Sequence, residues 1–189
     1  MTHRRAPVRV VNNTGKTLLS VTVSHKYSDN YKNEHTWTNV QNGQTTDEAL
    51  FVDYNTGFLT TGRDWWFVSA IDDKGVTYIT DPPNGRAFLD VMEKCGNTVL
   101  GPIAAAAAKM ALGSPEPVTK LISGAVAATT GISTLLLNKE GTTGFKQHIL
   151  RSDDQSGPNL IILKNYTKDG CEFRSHSGSS STVWEPVKV

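Results

Sequence analysis

The sequence predicts a mainly β protein, an antiparallel β-sandwich of short strands, with an α-helical hairpin inserted at roughly residues 86–139. The strand prediction rests on short segments rich in β-branched and aromatic residues, with turn residues about every ten positions. The hairpin prediction rests on the spacing of apolar residues, which changes from every second to every third or fourth position. Because the 189 residues contain neither an internal repeat nor a linker, we expect a single domain over residues 1–189.

The predicted strands lie on both sides of the hairpin. The clearest is 17–27, where alternate side chains share a face because successive strand residues point to opposite sides. One face of this strand is predicted to carry Leu19, Val21, Val23, His25 and Tyr27. The predicted strands are 8–12, 17–27, 35–40, 49–54, 64–71, 76–80, 145–151, 160–166, 171–175 and 182–187.

The predicted hairpin is almost uncharged. Between residues 95 and 137 its charged residues are Lys109, Glu116 and Lys120. The second arm is predicted to bury one stripe of the helix, which consists of Val118, Leu121, Ile122, Ala125, Val126, Thr129, Ile132, Leu135 and Leu136. The apolar surface of such a hairpin must be shielded from water. We therefore expect the hairpin to pack on the sheet, on a second copy of the chain or in a membrane, in that order of preference.

Small residues recur at a spacing of four along both arms of the hairpin, which lets helix backbones approach closely. We therefore predict a self-association or membrane-contact role for five of them. These residues are Ala104, Ala108, Gly124, Ala128 and Gly131.

Aromatic residues crowd the first third of the chain. Exposed tyrosine and tryptophan clusters suit a sugar face or a bilayer interface, whereas the alternative role of such residues is core packing. The candidate ligand-binding residues are Tyr27, Tyr31, Trp37, Tyr54 and Trp66. The predicted partners are a second copy of the chain, a membrane lipid or a glycan.

The motifs argue against most enzyme classes. Gly15-Lys16-Thr17 lacks the first glycine that a phosphate-binding loop needs upstream of its Gly-Lys pair, and the chain has no Gly-x-Ser-x-Gly. His25, Asp29 and His35 form no tight metal-ligand pair. We therefore expect no enzyme, no cofactor and no metal. A net charge of +1 with scattered basic residues also predicts no nucleic-acid partner.

The sequence is compatible with more than one cellular compartment. No apolar core of a signal peptide follows the basic N-terminus, so we expect a soluble protein that is cytoplasmic or secreted by a non-classical route. Cys95 and Cys171 are the two cysteines, and both a disulfide and two free thiols remain open.

Several short motifs occur in a distinctive order along the chain. They are 25–29 (HKYSD), Trp37, 54–58 (YNTGF), 64–66 (DWW), 150–154 (LRSDD) and the segment 173–184. In these motifs the chain resembles the up-regulated in Daf-2 domain family. The resemblance implies a small all-β domain with no settled biochemical activity.

These observations predict a non-enzymatic binding or interaction protein, with a defence or stress role as one interpretation. One alternative is a membrane-active, pore-forming-like protein that uses the hairpin. A second alternative is a lectin-like carbohydrate-binding module.

Overall fold

A computed structural model of the protein describes residues 1–28, 31–58, 62–81, 118–138, 140–165 and 168–187. The strands are β1 (Thr2–Asn13), β2 (Leu18–Tyr27), β3 (Tyr31–Val40), β4 (Leu50–Thr56), β5 (Asp64–Asp72), β6 (Thr77–Asp81), β7 (Lys146–Gln147), β8 (Asn159–Lys164), β9 (Cys171–Ser175) and β10 (Gly178–Pro186). The helix α1 is Val118–Asn138, and a 3-10 helix covers Ser152–Ser156.

The strands form one sheet that nearly closes into a barrel. Its order is β3-β2-β5-β6-β10-β9-β8-β1-β4, and the short β7 pairs with β5. The end strands β3 and β4 meet through side chains, since Asn33 accepts a hydrogen bond from the Asp53 backbone at 3.0 Å and donates one to its carboxylate at 3.0 Å. The mainly β prediction is confirmed, but the sheet is barrel-like rather than clearly a sandwich.

One strand pair departs from the predicted antiparallel arrangement. β1 and β8 pair in parallel, with Val8 opposite Asn159 and Asn13 opposite Lys164. A parallel pair needs a long connection between its strands, and here most of the chain lies between them. Local turn signals carry no information about such a distant pairing.

Two apolar clusters lie on opposite sides of β2 and β5. The interior cluster fills the barrel and contains Val21, Val23 and Trp66, while a second cluster with Phe67 and Ile132 lies between the sheet and α1. β2 is therefore buried along its whole length. The register shifts between Leu18 and Ser20, so Leu18 points inside the barrel and Leu19 points to the helix. The prediction that Leu19 shares a face with Val21 is wrong for this reason.

The structure contains the second arm of the predicted hairpin as α1. The first arm, including Ala104 and Ala108, lies outside the described residues, so the hairpin itself is not shown. The predicted apolar stripe is buried in part, because Ala125, Thr129, Ile132 and Leu136 are buried whereas Leu121, Val126 and Leu135 are only half-buried. The side chains that α1 buries most are Ala125, Ala128, Thr129, Ile132, Ser133, Leu136 and Leu137.

Hydroxyl groups explain which side of α1 faces the sheet. The outward residues of β2 are small and polar, and they meet hydroxyls of the helix. Thr129 lies 2.7 Å from the hydroxyl of Ser20 and 2.9 Å from that of Thr22. The hydroxyls of Ser24 and Ser133 form a further hydrogen bond. Buried hydroxyls need such partners, and those of Thr129 and Ser133 find them on β2.

Candidate functional site

The opposite side of the barrel carries a sheet surface whose arginines are exposed. We call the outward side chains of β4, β1, β8 and β9 the open face. Alternate residues of β1 point inward, as Ala6, Val8 and Val10 do in the interior cluster, so the residues between them point outward. The central residues of the open face are Phe51, Arg5, Pro7, Arg9, Leu160 and Arg174.

An arginine and an exposed aromatic ring form the first unit of the open face. The guanidinium carbon of Arg5 lies 4.7 Å from the ring centroid of Phe51, which is a cation–π distance. Phe51 is 47% exposed. Asp53 lies opposite Arg5 in the register, but its carboxylate contacts His3 and Asn33, each at 3.0 Å. Among the described residues, Arg5 therefore has no carboxylate partner.

A second unit is a row of aligned residues across three strands. Arg9 pairs with Leu160, and Leu160 pairs with Arg174. Neighbouring strands lie about 4.8 Å apart, which places the two arginines roughly 10 Å from each other. Arg9 is exposed and makes no hydrogen bond or ion pair with the described part of the chain. The row thus presents an unpaired guanidinium beside a half-buried apolar side chain.

Arg174 is partly neutralised by a neighbouring carboxylate. Its Nε and Nη2 atoms donate to Glu172 at 2.9 and 2.7 Å, and Lys164 donates to the other oxygen at 2.6 Å. These bonds from Lys164 and Arg174 hold the pKa of Glu172 below its ordinary value. Because one carboxylate serves two cations here, the region keeps a positive excess.

A polar cluster lies at one end of β9 and β10. We call it the imidazole cluster, and it consists of His148, Asp154, Ser175, Ser177 and Ser180. The Nδ1 of His148 lies 3.0 Å from the hydroxyl of Ser180, and Nε2 lies 3.3 Å from that of Ser175. Burial lowers the pKa of His148, although the negative charges of Asp154 and Asp64 act in the opposite direction. The imidazole is therefore held in its neutral form.

Asp154 anchors the same cluster from the 3-10 helix. Its carboxylate accepts hydrogen bonds from the backbone and hydroxyl of Ser177, at 2.9 and 2.6 Å, and from the backbone of Arg151 at 2.6 Å. Burial alone would raise the pKa of Asp154, but these hydrogen bonds outweigh it and the pKa lies below its ordinary value. Asp154 reaches His148 only through serine hydroxyls, so the arrangement differs from a catalytic triad.

A small cavity adjoins the imidazole cluster. His148, Trp66 and Phe173 are among its lining residues, and it has room for about one water molecule. Such a volume is far below that of a small-molecule site, which spans about 300–1,000 Å³. The cavity therefore belongs to the packing of the barrel.

A second histidine pairs with a carboxylate in the interior. The Nε2 of His25 lies 2.9 Å from Asp64, whose other oxygen accepts the Leu150 backbone N–H at 2.9 Å. The ring of His25 also packs on Trp66 at a centroid distance of 4.4 Å. Both His25 and Asp64 are sealed from solvent. Within the described ranges, no group of three or more metal-ligating side chains could hold a metal ion.

The structure places the predicted aromatic ligand-binding residues in or against the interior cluster. Tyr27, Trp37, Tyr54 and Trp66 belong to it, and Tyr31 packs on it as a half-buried residue. The hydroxyl of Tyr54 donates to the Arg151 carbonyl at 2.9 Å, and burial raises its pKa to about 12. They form no exposed platform, and their ligand-binding role stays a prediction.

The small residues predicted for self-association or membrane contact are divided among different environments. Ala128 is buried against the sheet and Gly124 is half-buried. A Cβ added at Gly131 would meet no atom within 4 Å among the described residues outside its own stretch of helix. Ala104 and Ala108 lie outside the described residues. The self-association or membrane-contact role of these residues stays a prediction.

The open face was not predicted from the sequence. Its arginines come from β1 and β9, which are far apart in the chain, and single basic residues in strands are common. One local signal was present, because exposed and apolar residues alternate along β1. Arg5 and Arg9 are the exposed residues, and Ala6, Val8 and Val10 are the buried ones. The pairing of β1 with β8 was needed to align Arg9 with Leu160.

Comparison with known proteins shows which family this chain matches. A family model described as Up-Regulated in long-lived daf-2 matches residues 2–184, which is nearly the whole chain. The comparison with curated proteins finds no match.

Proposed function

We propose that this protein is a non-enzymatic binding protein whose open face holds an anionic partner. The chain belongs to the Up-Regulated in long-lived daf-2 family, which confirms the resemblance seen in the motifs. That membership defines no activity, so the proposal rests on geometry. The observation that carries it is the exposed pair of arginines, Arg5 on Phe51 and Arg9 beside Leu160, without carboxylate partners among the described residues.

The chemistry of the interior supports a binding role over catalysis. Nucleophilic catalysis needs an accessible nucleophile with its base oriented by a third group. His148 has hydroxyls on both ring nitrogens and no direct carboxylate contact, while His25 and Asp64 are buried away from solvent. Guanidinium groups, by contrast, bind carboxylates and phosphates directly when they are exposed.

The test reverses two charges on the open face. We expect Arg5→Glu/Arg9→Glu to lose retention on immobilised dextran sulfate at low salt, since both cations of the proposed site become anions. The matched control is Lys32→Glu/Lys74→Glu, which makes the same change in net charge at exposed lysines away from the open face. Equal loss by both variants would show that only net charge matters and would overturn the proposal.

A second candidate function is membrane activity through the predicted hairpin. Residues Thr119–Asn138 of α1 are long and apolar enough to cross a membrane by length and composition, although the core helix of a soluble protein passes the same test. This proposal expects dye leakage from liposomes, and it expects Gly131→Glu to abolish leakage because position 131 faces open space. Absence of leakage from every lipid mixture tested would exclude it.

The lectin-like alternative stays a prediction. Binding to glycans on an array would support it, and Tyr31→Ala is the matched variant because Tyr31 is the half-buried member of the aromatic set. Loss of a glycan signal in that variant would locate the site.

A further inference from the structure

We infer that the anionic partner of the open face is the surface of a lipid bilayer that contains acidic headgroups. This inference rests on the proposed function and names its partner. The inferred contact with the bilayer involves exposed aromatic side chains as well as the arginines.

The charge pattern fits headgroup phosphates and carboxylates. Arg5 and Arg9 lie four residues apart on one strand, so they project to the same side along a line of roughly 13 Å. Arg174 extends this pattern across the sheet, roughly 10 Å from Arg9. Basic residues near an acidic membrane surface each contribute to adsorption, and their effect falls off within a Debye length.

Two phenylalanines supply the apolar part of the contact. Phe51 is 47% exposed on the open face, and Phe58, just after the end of the same strand β4, is 91% exposed. Aromatic side chains beside basic residues are the combination that lies at the boundary of headgroups and acyl chains. Phe58 therefore offers a second exposed ring near the end of the barrel where β1 begins.

The spacing of these groups favours a bilayer over a folded acidic protein. A protein interface has a continuous, densely packed apolar core surrounded by polar groups. On the open face, apolar side chains alternate with arginines instead, as in the row of Arg9, Leu160 and Arg174. Lipid headgroups are laterally mobile, so they can meet separated cations without a matching rigid surface.

The experiment is flotation of the full chain with vesicles of phosphatidylcholine alone or of equal parts phosphatidylcholine and phosphatidylserine. We expect wild-type protein to float with the acidic vesicles at low salt and not with the neutral ones. Arg5→Glu/Arg9→Glu should weaken this binding roughly 30-fold or more, at about one factor of five per lost cation. Phe58→Ser should weaken binding severalfold, with the exposed Thr134→Ser as its neutral control.

The outcomes separate this inference from the proposed function. Arginine-dependent retention on dextran sulfate without vesicle binding would overturn the lipid inference and leave the proposed function intact. Vesicle binding that is unaffected by the arginine reversal would overturn both. Loss of vesicle binding in Arg5→Glu/Arg9→Glu but not in Lys32→Glu/Lys74→Glu, together with the Phe58 effect, would support the bilayer as the partner.

Discussion

The two outer surfaces of the barrel differ in the side chains that their strands carry on the outer side. On β2 the outward residues include Ser20, Thr22 and Ser24, and α1 covers them through hydroxyl contacts. On β1 they include Arg5 and Arg9, and this face stays exposed. A neutral hydroxyl can be buried when one partner bonds it, whereas burying an unpaired guanidinium costs far more. The outward side chains therefore decide which face becomes core and which stays a surface.

The largest expected effect is on the covered face. Ile132→Ala should lower the free energy of unfolding by about 2–5 kcal/mol, because Ile132 is buried between α1 and the sheet. Denaturant unfolding monitored by tryptophan fluorescence measures this change. Leu135→Ala is the control and should cost less, since Leu135 is half-buried. A larger loss for Leu135→Ala would mean that α1 packs through its other side.

A smaller effect is expected from the hydroxyl contacts. Thr129→Val keeps the shape of the side chain but removes the hydroxyl that Ser20 and Thr22 contact, which should cost about 1–3 kcal/mol. Thr134→Val makes the same chemical change at an exposed helix position and should be nearly neutral. Equal stability of the two variants would show that the hydroxyl contacts do not hold the helix on the sheet.

Acid should act on the imidazole cluster rather than on α1. The folded-state pKa of His148 lies below its unfolded value of about 6.5. The folded state therefore prefers the neutral ring, and its contribution to stability is complete above about pH 6.5 and declines as the pH falls below that value. His148→Gln should reduce the loss of stability between about pH 7 and 5, as measured by urea unfolding.

The window above pH 5 isolates this histidine from the nearby carboxylates. Asp154 and Glu172 have lowered pKa values, so their stabilising contributions are lost only as the pH falls below about 4. Hydrogen exchange at pH 5 should show faster opening of β9 and β10 than of α1. Preferential opening of α1 would contradict the assignment of acid sensitivity to the imidazole cluster.

The smallest expected effect is on the stability of the open face. Arg9→Ala should change the unfolding free energy by no more than about 0.5 kcal/mol, because Arg9 makes no hydrogen bond or ion pair with the described residues. Thermal unfolding monitored by circular dichroism measures this change in stability. A large loss would mean that Arg9 has a structural role, and the binding tests would then need a different variant.

Much of the β architecture could be predicted from local patterns. The segments 17–27 and 64–71 alternate or contain β-branched and aromatic residues, and both are strands in the structure. The prediction failed at Leu19, where a bulge reversed the side-chain direction. A bulge depends on the neighbouring strand, so periodicity within one strand could not show it.

The sides of α1 illustrate a second limit of sequence patterns. The spacing of apolar residues correctly predicted a helix near 118–138 and a stripe whose members Ala125, Thr129, Ile132 and Leu136 are buried. It also placed Leu121 and Leu135 in that stripe, and these two are only half-buried. The opposing surface of β2 is lined with hydroxyls, and it also buries Ser133, which contacts Ser24 and was not part of the predicted stripe. Which residues at the edge of the stripe become buried depended on the partner surface.

The sequence by itself determined the mainly β class, the helical second arm and the family, because strand alternation, helical spacing and short motifs are properties of neighbouring residues. The tertiary structure decided the near closure of the barrel, the parallel pairing of β1 with β8 and the alignment of Arg9, Leu160 and Arg174. These features join residues that are far apart in the chain, and they are set by which surfaces can be buried together. The open face exists because its arginines cannot be buried at low cost, while the hydroxyls on the other side can.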